Sequence, residues 1–332
     1  MPLIKKIAIF FLFIGPLAIA SKFQAGASEQ AITKEAFQNL ETIRLIRTEQ
    51  VKGFFNDHFR LLDLLGTSPR VMEALNGQRS GHDTWLSDFQ NATGIEDLFL
   101  INREGVVIDS ARSMVIQGRS LQSGPLQQSG LGRLYQRIEQ SASDQRHYVE
   151  EVSLFAQAKG QPALFIAAPI YQQKQRVGTL AIQLPYARLN ALMQQKVGLG
   201  NTGETFLLGS DKKMRSDSRL QPKLRSVKAS LEGSVEKNGV DTTPAKKAIA
   251  GESGLMENLD VTRSRTYSSY GPVDVPGLKW IMVAEIDRME VQMKMIDLRV
   301  YIFLVVSLTA LIMTALLLFK GRKGGTNNWR FP

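Results

Sequence analysis

The sequence of 332 residues contains no cysteine and only three histidines. The absence of cysteine excludes disulfides, thiol catalysis and thiolate metal sites, and it fits a domain exported to an oxidising compartment. His58, His82 and His147 lie far apart and form no HxxxH pattern. We therefore expect neither a zinc site nor any other cofactor.

The middle of the chain lacks a strong excess of positive charge, although the formal net charge is +10. Six of the 41 basic residues lie near the two ends, so the remainder carries 35 basic against 31 acidic residues. The six are Lys5, Lys6, Lys320, Arg322, Lys323 and Arg330. This even mixture argues against a nucleic-acid partner, and we interpret the basic ends as membrane flanks.

Motifs typical of catalysis are also missing, since the sequence contains no GxSxG elbow, Walker loop or metal-binding cluster. We therefore do not expect an enzyme. Gly198–Gly203 matches GxGxxG, but a predicted helix precedes it and a predicted strand follows it. A dinucleotide site requires the opposite order, so we interpret these glycines as a helix stop and turn.

Two hydrophobic segments lie near the ends. Val300–Phe319 contains 20 residues without a charge, enough for a helix to cross a hydrocarbon core. Residues 1–20 predict a second anchor, with a cleaved signal peptide as the alternative. In either case the basic ends, including the tail 320–332, are expected to be cytoplasmic. The sequence thus predicts a protein of the inner (cytoplasmic) membrane, spanning it at 299–319, with most of the chain in the periplasm or extracellular space.

A long helix is expected next to the first anchor. From Ser21 to Leu65 apolar residues recur at helical spacing, and no proline occurs between these two positions. Residues 21–92 thus predict a stalk or spine helix and a connector, with a joint at Asn76–Gly81 and a short helix at Trp85–Asn91. Arg47 and Gln50 interrupt the apolar stripe, so the pattern does not establish a coiled coil. Dimerisation through this helix, giving a homodimer, is our hypothesis.

From Asp97 onward the hydrophobic period becomes that of strands. Asp97–Ser110 predicts a hairpin with a polar turn at Asn102–Gly105. The elements expected after it are a helix at Gly124–Ser141, strands at Arg146–Phe155, Ala163–Tyr171 and Val177–Leu184, and a helix at Tyr186–Val197. Together they predict a module at residues 93–197.

The same plan repeats in residues 198–298. Asp97–Arg112 aligns without gaps with Glu204–Arg219, which predicts a second hairpin. A short helix is expected from Thr242 to Ala250, with a threonine cap and Pro244 in the first turn. The closing strands also align, Phe165–Ile170 with Tyr267–Pro272 and Gly178–Gln183 with Lys279–Ala284. The predicted fold class is α+β, with two tandem antiparallel-sheet modules after a long helix.

Two segments carry a resemblance to a known family. Gly198–Arg219, with Thr-Gly-Glu-Thr-Phe and Met-Arg-Ser-Asp-Ser-Arg, and Pro276–Ile286 closely resemble the double Cache domains of bacterial chemoreceptors, sensor kinases and membrane cyclases. The resemblance covers about Ser21–Phe319. It implies a long N-terminal helix, a membrane-distal and a membrane-proximal PAS-like module, and ligand capture usually in the distal one.

The distal module offers candidate ligand contacts. Small-ligand sites combine apolar and aromatic walls with a few fixed polar groups. The candidates of this kind are Asp109 with Ser110, Tyr135, Arg137, Tyr148, Glu151, Phe155, Tyr171 and Gln183. The alternative is that the tyrosines belong to the core or rim and that Glu151 faces solvent beside Arg146.

The resemblance also bears on the ligand. Cache receptors for amino acids carry an aspartate on the last distal strand, which pairs with the ammonium, and an arginine-x-tryptophan-tyrosine cluster for the carboxylate. Here Gln183 occupies the strand position and the cluster is missing. A neutral amide does not replace that charge pairing. A free α-amino acid is therefore not the expected ligand, and a carboxylate or another small metabolite is as well supported.

A secondary candidate lies in the proximal module. If Met214–Arg219 is a strand, Arg215, Asp217 and Arg219 share one face and form a polar pocket. We favour the alternative that the two arginines and the aspartate satisfy each other and fix the geometry of this module.

Two functions compete at this point. The first is an extracytoplasmic sensor that binds a small solute in the distal module and signals across the membrane but lacks its own effector domain. In that case the chain is a truncated receptor, or a separate signalling partner supplies the effector. The second is a membrane-tethered docking or assembly subunit that uses its Cache modules for protein contact.

Overall fold

A computed structural model describes residues 3–78, 84–141 and 145–293, with scattered positions between 301 and 312, and side chains from residue 29 onward. Most of the predicted membrane helix at 299–319 and the whole tail at 320–332 lie outside the described residues. The residues that are described include no helix long and apolar enough to cross a membrane. Two compact units are distinguished, and Phe37–Asp287 forms one of them.

The first helix, α1, runs without interruption from Leu3 to Gly66, as predicted for Ser21–Leu65. Within the unit Phe37–Asp287 its apolar stripe is buried, with Val51, Phe55 and Leu62 in the main core. Arg47, which interrupts the apolar stripe, also makes contacts within the unit, because its guanidinium donates hydrogen bonds to Gln50 and Gln195. This part of α1 is therefore a packed spine of the unit.

Two short helices follow, α2 at Pro69–Leu75 and α3 at Trp85–Thr93, of which only α3 was predicted. A five-stranded antiparallel sheet comes next, in the order β2-β1-β5-β4-β3. Its strands are β1 Asp97–Asn102, β2 Val107–Ser110, β3 Tyr148–Phe155, β4 Gln161–Gln172 and β5 Gln175–Gln183, and its helices are α4 Gly130–Gln140 and α5 Tyr186–Met193. The predicted hairpin β1–β2 is present.

The two faces of this sheet bury different partners. Leu98 and Leu100 of β1 face the core that contains the spine, whereas Phe99 and Ile101 face a second core. The second core includes Leu134 of α4 and is filled by apolar and aromatic side chains. Since the alternating residues of each strand point to opposite faces, the hydrophobic run in β1 reflects burial on both sides.

A four-stranded antiparallel sheet follows, in the order β6-β9-β8-β7. Its strands are β6 Glu204–Gly209, β7 Gly254–Leu259, β8 Arg265–Val275 and β9 Leu278–Asp287, and its helices are α6 Val227–Glu232, α7 Val235–Asn238 and α8 Thr243–Ile249. Thr242 occupies the expected N-cap position of α8, but its side chain makes no capping hydrogen bond there.

The predicted second hairpin is wrong in its second strand. After β6 the chain forms a loop, which touches the sheet through one bridge between Leu208 and Met214. A backbone ladder begins there, since Arg215 N donates to Leu207 O at 2.7 Å and Gly209 N donates to Lys213 O at 3.0 Å. It then stops, because Leu207 N donates to the hydroxyl of Ser216 at 2.9 Å instead of to a backbone carbonyl. The segment after Met214 therefore does not continue as a second strand beside β6.

The strand register corrects the alignment of the two modules by one residue. Gln183 lies opposite Asp97, the first residue of β1, and Glu285 lies opposite Glu204, the first residue of β6. The counterpart of Gln183 is therefore Glu285, and not Ala284 as the aligned sequences suggested. In both modules the carboxylate at the start of the first strand accepts hydrogen bonds from the loop that follows.

These hydrogen bonds join aligned positions in the two modules. Asp97 accepts from the backbone N–H groups of Arg112 and Ser113, each at 3.0 Å. Glu204 accepts from those of Arg219 and Leu220, at 2.9 and 3.3 Å. Each module thus uses an acidic residue at a strand start to fix its loop.

The packing of α1 generates a stability prediction. Phe55 is fully buried and its ring lies 5.7 Å from that of Trp280. Phe55→Ala should lower the free energy of unfolding by about 3–5 kcal/mol, because it removes a large side chain and leaves a cavity. Leu64→Ala on the exposed face of the same helix should change it by less than about 0.5 kcal/mol. Urea unfolding of both variants measures this, and equal effects would contradict a packed spine.

Candidate ligand-binding sites

A groove of about 1010 Å³ opens at one end of the five-stranded sheet. Phe155 and Gln183, the last residues of β3 and β5, form part of its wall, and Met114 and Val115 from the loop after β2 form another part. Lys228 of α6 contributes from the neighbouring module. An occupant of this groove would therefore contact both modules.

Gln183 is the most informative residue of the groove. Its side chain lines the groove although the residue is only 8% exposed. Within the described part of the chain, no group forms a hydrogen bond with its amide. The amide atoms still reach the open space of the groove, where water or a ligand can satisfy them. The amide offers an occupant of the groove both a donor and an acceptor.

The charged side chains around the groove differ in whether other groups of the protein already bind them. Asp97 holds the loop after β2, and Asp217 accepts from Asn190 at 2.8 Å and from Val227 N at 2.7 Å. By contrast, the ammonium groups of Lys159 and Lys228, which also line the groove, have no carboxylate partner among the described residues. The charge that remains available to a ligand is thus positive.

The predicted distal candidates do not converge on one site. Only Phe155 and Gln183 line the groove. Asp109 lines a separate depression of about 590 Å³. Tyr171 is exposed on the surface.

Three other candidates are engaged within the module. Tyr135 and Tyr148 belong to the core under α4, and the hydroxyl of Tyr135 donates to the carbonyl of Arg103 at 2.9 Å. Arg137 is paired with the buried carboxylate of Glu150. For Tyr135 and Tyr148 the structure shows the alternative, a position in the core. Lys159 and Lys228 were missed, and no pattern in the sequence distinguishes them from other surface lysines.

Glu151 has an unexpected position. The pairing of β3 with β4 is irregular between Glu150 and Ser153, and Glu151 lies in this irregular stretch. Instead of facing solvent beside Arg146, its Oε1 accepts from Arg215 Nε at 2.8 Å and from Trp280 Nε1 at 3.0 Å. We refer to Glu151, Arg215 and Trp280 as the Glu151 cluster. It joins an edge strand of one sheet to two residues of the other module.

Arg215 and Trp280 of the Glu151 cluster are buried, Glu151 is partly exposed, and the cluster has further partners. Arg215 is 3% exposed and also pairs with Asp211 at 3.0 Å. Its carbonyl accepts from the hydroxyl of Tyr186, whose pKa is raised well above its ordinary value, first by burial and then by the Asp217 carboxylate. The hydroxyl therefore keeps its proton. Since Tyr186 lines the groove, the cluster and the groove are adjacent.

The three secondary candidates of the proximal module contact different parts of the protein. Arg215 belongs to the Glu151 cluster, Asp217 holds α5 and the start of α6, and Arg219 donates to the carbonyl of Gly203. The prediction that these three share a strand face is wrong because the segment is a loop. The favoured alternative, in which the two arginines and the aspartate satisfy each other, is also wrong in its pairing, because each of the three binds other residues.

A smaller cavity of about 170 Å³ lies in the second module. It is lined by the nearly buried side chains of Glu204, Arg225 and Glu285. Burial, and then the carboxylates of Glu204 and Asp260, raise the pKa of Glu285 to about 8. Among the residues that the structure covers, no group of three or more acidic or histidine side chains is arranged to hold a metal ion.

The Glu151 cluster generates a prediction for Glu151→Gln. The substitution keeps the shape but removes the charge that faces the buried Arg215. Because Asp211 remains and Glu151 is partly exposed, the free energy of unfolding should fall by about 2–3 kcal/mol, less than for a fully buried pair. Glu73→Gln, at an exposed site on α2, should have almost no effect. Urea unfolding measures both, and a negligible loss for Glu151→Gln would show that the cluster does not stabilise the fold.

Glu285 generates a prediction about pH. Its pKa is about 8 in the folded protein against 4.5 as the ordinary value, so the folded state retains a proton that the unfolded state has lost. Its contribution to stability is complete below the lower value and decreases as pH rises to the upper one, by at most about 1.4 kcal/mol per pH unit. Glu285→Gln should lack this decrease. Unfolding curves between about pH 5 and 8 measure it, and parallel pH profiles for both proteins would contradict it.

The chain shows clear similarity to known proteins. The model of the Cache domain family dCache_1 matches residues 28–295. A Sinorhizobium fredii protein with the name "Probable chemoreceptor y4sI" is 30% identical over 141 residues, which are 42% of this chain and 17% of that relative.

Solved structures of low identity share the fold. The ligand-binding domain of the Pseudomonas fluorescens chemoreceptor CtaA, in complex with L-isoleucine, has a TM-score of 0.55 at 16% identity, covering 80% of this chain and 98% of that one. The domain of the Campylobacter jejuni chemoreceptor Tlp3, in complex with 4-methylisoleucine, has a TM-score of 0.56 at 12% identity, covering 78% and 94%. The expected resemblance is confirmed, and the chain belongs to the Cache domain family, in its double Cache form.

Proposed function

We propose that this chain is an extracytoplasmic sensor that captures a small solute in the groove beside Gln183. The observation that carries the proposal is the nearly buried amide of Gln183, which lines a groove of about 1010 Å³ and has no partner among the described residues. Chemoreceptor ligand-binding domains of the same fold, such as those of CtaA and Tlp3, have been solved with small solutes bound. This supports solute binding as the role of the fold here.

We further propose a carboxylate-bearing solute. Lys159 and Lys228 present ammonium groups without an anionic partner among the described residues, whereas the acidic residues Asp97 and Asp217 are engaged by backbone and amide donors. Charge-assisted hydrogen bonds to a carboxylate are stronger than neutral ones. Gln183 can add a neutral hydrogen bond, which suits a hydroxyl or carbonyl next to the carboxylate.

The signalling step follows from the position of the groove. Gln183 belongs to one module and Lys228 to the other, so a solute that contacts both changes the free energy of their relative arrangement. A ligand shifts such an equilibrium only by its differential affinity for the two states. The Glu151 cluster and the contact of Trp280 with Phe55 connect this arrangement to α1. We propose that α1 carries the change toward the membrane.

The membrane and dimer assignments remain part of the proposal. The apolar segments Ile7–Ala20 and Val300–Phe319, flanked by basic residues, support anchoring in the cytoplasmic membrane with the modules 93–197 and 198–298 outside it. Leu45 and Ile46 on α1 are about half exposed, at 50% and 52%, and support a homodimer through this helix. A separate signalling partner is compatible with both.

The sensor proposal predicts ligand-dependent stabilisation. In a thermal-shift screen of organic acids, amino acids, amines, purines and sugars, an organic acid at a hundred times its dissociation constant should add about 2.7 kcal/mol to the free energy of unfolding. Gln183→Leu and Lys228→Gln should each weaken that ligand about tenfold or more, because each removes a hydrogen-bonding or charged contact. Lys223→Gln, an exposed lysine outside the groove, is the matched control.

The outcomes separate the two functions. A shift that the groove variants remove, and the control retains, establishes solute sensing at the groove. A shift that neither groove variant changes places the site elsewhere. If a well-folded protein responds to no compound, the docking-subunit function becomes the better explanation, and co-purification of a membrane partner is its test.

A further inference from the structure

The cavity of the second module occupies the position that corresponds to the groove in the first. Gln183, opposite Asp97, lines the groove, and Glu285, opposite Glu204, lines the cavity. In each module the same loop, held by the first-strand carboxylate, forms part of the wall: Arg112 lines the groove and Leu220 lines the cavity. The repeat thus places a concave site at the same end of both sheets.

The polar groups of the cavity are only partly satisfied. Glu204 uses Oε2 to accept from Ser218, Arg219 and Leu220, and no described group donates to its Oε1. Arg225, 8% exposed, donates through Nε to the carbonyl of Gly239 at 3.2 Å.

The terminal amino groups of Arg225 remain available. Throughout the described residues no acceptor hydrogen-bonds to them, and no carboxylate pairs with the guanidinium, although Glu204, Asp260 and Glu285 surround it. A buried guanidinium next to carboxylates, yet paired with none, differs from a closed structural salt bridge, in which the charges satisfy each other. Arg225 is therefore a nearly buried donor directed into an unfilled volume.

The charges define the chemistry of an occupant. Asp260 is committed to its own turn, where it accepts from Thr262 N and Ser264 N at 2.8 Å each. The groups left to an occupant are Oε1 of Glu204 and the carboxyl group of Glu285 on one side and the amino groups of Arg225 on the other. An ammonium donates three hydrogen bonds and suits the first set, and an acceptor atom suits the second.

We propose that this cavity is a second ligand site, separate from the groove, which binds a small primary amine with its ammonium between Glu204 and Glu285 and a hydrogen-bond acceptor toward Arg225. The volume of about 170 Å³ admits only a compact molecule. A hydroxyl and a carboxylate both provide the acceptor, so ethanolamine and glycine are the probes that represent the two sources of this chemistry.

Proton release distinguishes this site from an adventitious cavity. In the empty cavity Glu285 keeps its proton at neutral pH, facing Glu204 on β6, Asp260 in the β7–β8 turn, Ser268 on β8 and Arg225 before α6. An ammonium beside Glu285 stabilises its ionised form, so binding should release up to about one proton. The affinity should therefore rise with pH between about 6 and 8.

The test is isothermal titration calorimetry of the full-length chain in detergent with each probe. Titrations at about pH 7 in two buffers with different ionisation heats give the number of protons released. Glu285→Gln should weaken the better probe about tenfold or more and abolish the proton release. Glu252→Gln, an exposed glutamate outside the cavity, and Gln183→Leu in the groove should both bind the probe as the wild type does.

Each result decides the proposal. Binding with proton release, lost in Glu285→Gln and retained in the two controls, supports it. Absence of binding by both probes, or binding of the wild type without proton release, overturns it even if Glu285→Gln fails to fold. Loss of amine binding in Gln183→Leu overturns it as well, because the amine would then occupy the groove. If the groove binds no organic acid, the outcome of this test on the cavity is unaffected.

Discussion

The ion pair between Glu151 and Arg215 is the constraint on which the relation of the two sheets depends. A guanidinium that is 3% exposed costs several kcal/mol to bury unless a carboxylate and further hydrogen bonds compensate it. Asp211 provides one compensating carboxylate from within the module, and Glu151 provides the other from the edge strand of the other sheet, where Trp280 also donates to it. The pair is therefore satisfied only when the modules hold one arrangement. Apolar burial against α1 provides the larger energy, but it does not fix the relative position as narrowly.

A second constraint repeats within each module. An acidic residue at the start of the first strand accepts backbone N–H groups from the loop that follows, Asp97 in one module and Glu204 in the other. The loop is thereby held over the sheet end, where the groove and the cavity lie. The residue opposite each acid then decides the chemistry: a neutral amide at Gln183 and a carboxyl at Glu285. One architecture thus provides two concave regions whose linings differ in charge.

Much of this fold could be predicted from local patterns, whereas most of the site could not. The spine helix and the hairpin β1–β2 follow from periodicity and turn residues. The periodicity of Met214–Arg219 predicts a strand, but the ladder to β6 stops where the hydroxyl of Ser216 accepts from Leu207 N, an effect that no local pattern shows. Likewise, a two-residue period assigns Tyr148 to one face of β3 without showing that α4 covers that face. Glu151 reaches Arg215 from an irregular stretch of β3, which periodicity does not foresee.

The groove and the cavity both adjoin the ion pair between Glu151 and Arg215. Tyr186 lines the groove and donates to the carbonyl of Arg215, and Met214, the neighbour of Arg215 in the chain, lines the cavity. An occupant of either site therefore acts on the backbone that positions one guanidinium. Coupling between two sites is reciprocal in free energy, so any effect of a ligand in the cavity on affinity at the groove must be matched by the reverse effect. The Glu151 cluster is the element through which such coupling would pass, because it is the buried contact that both sites adjoin.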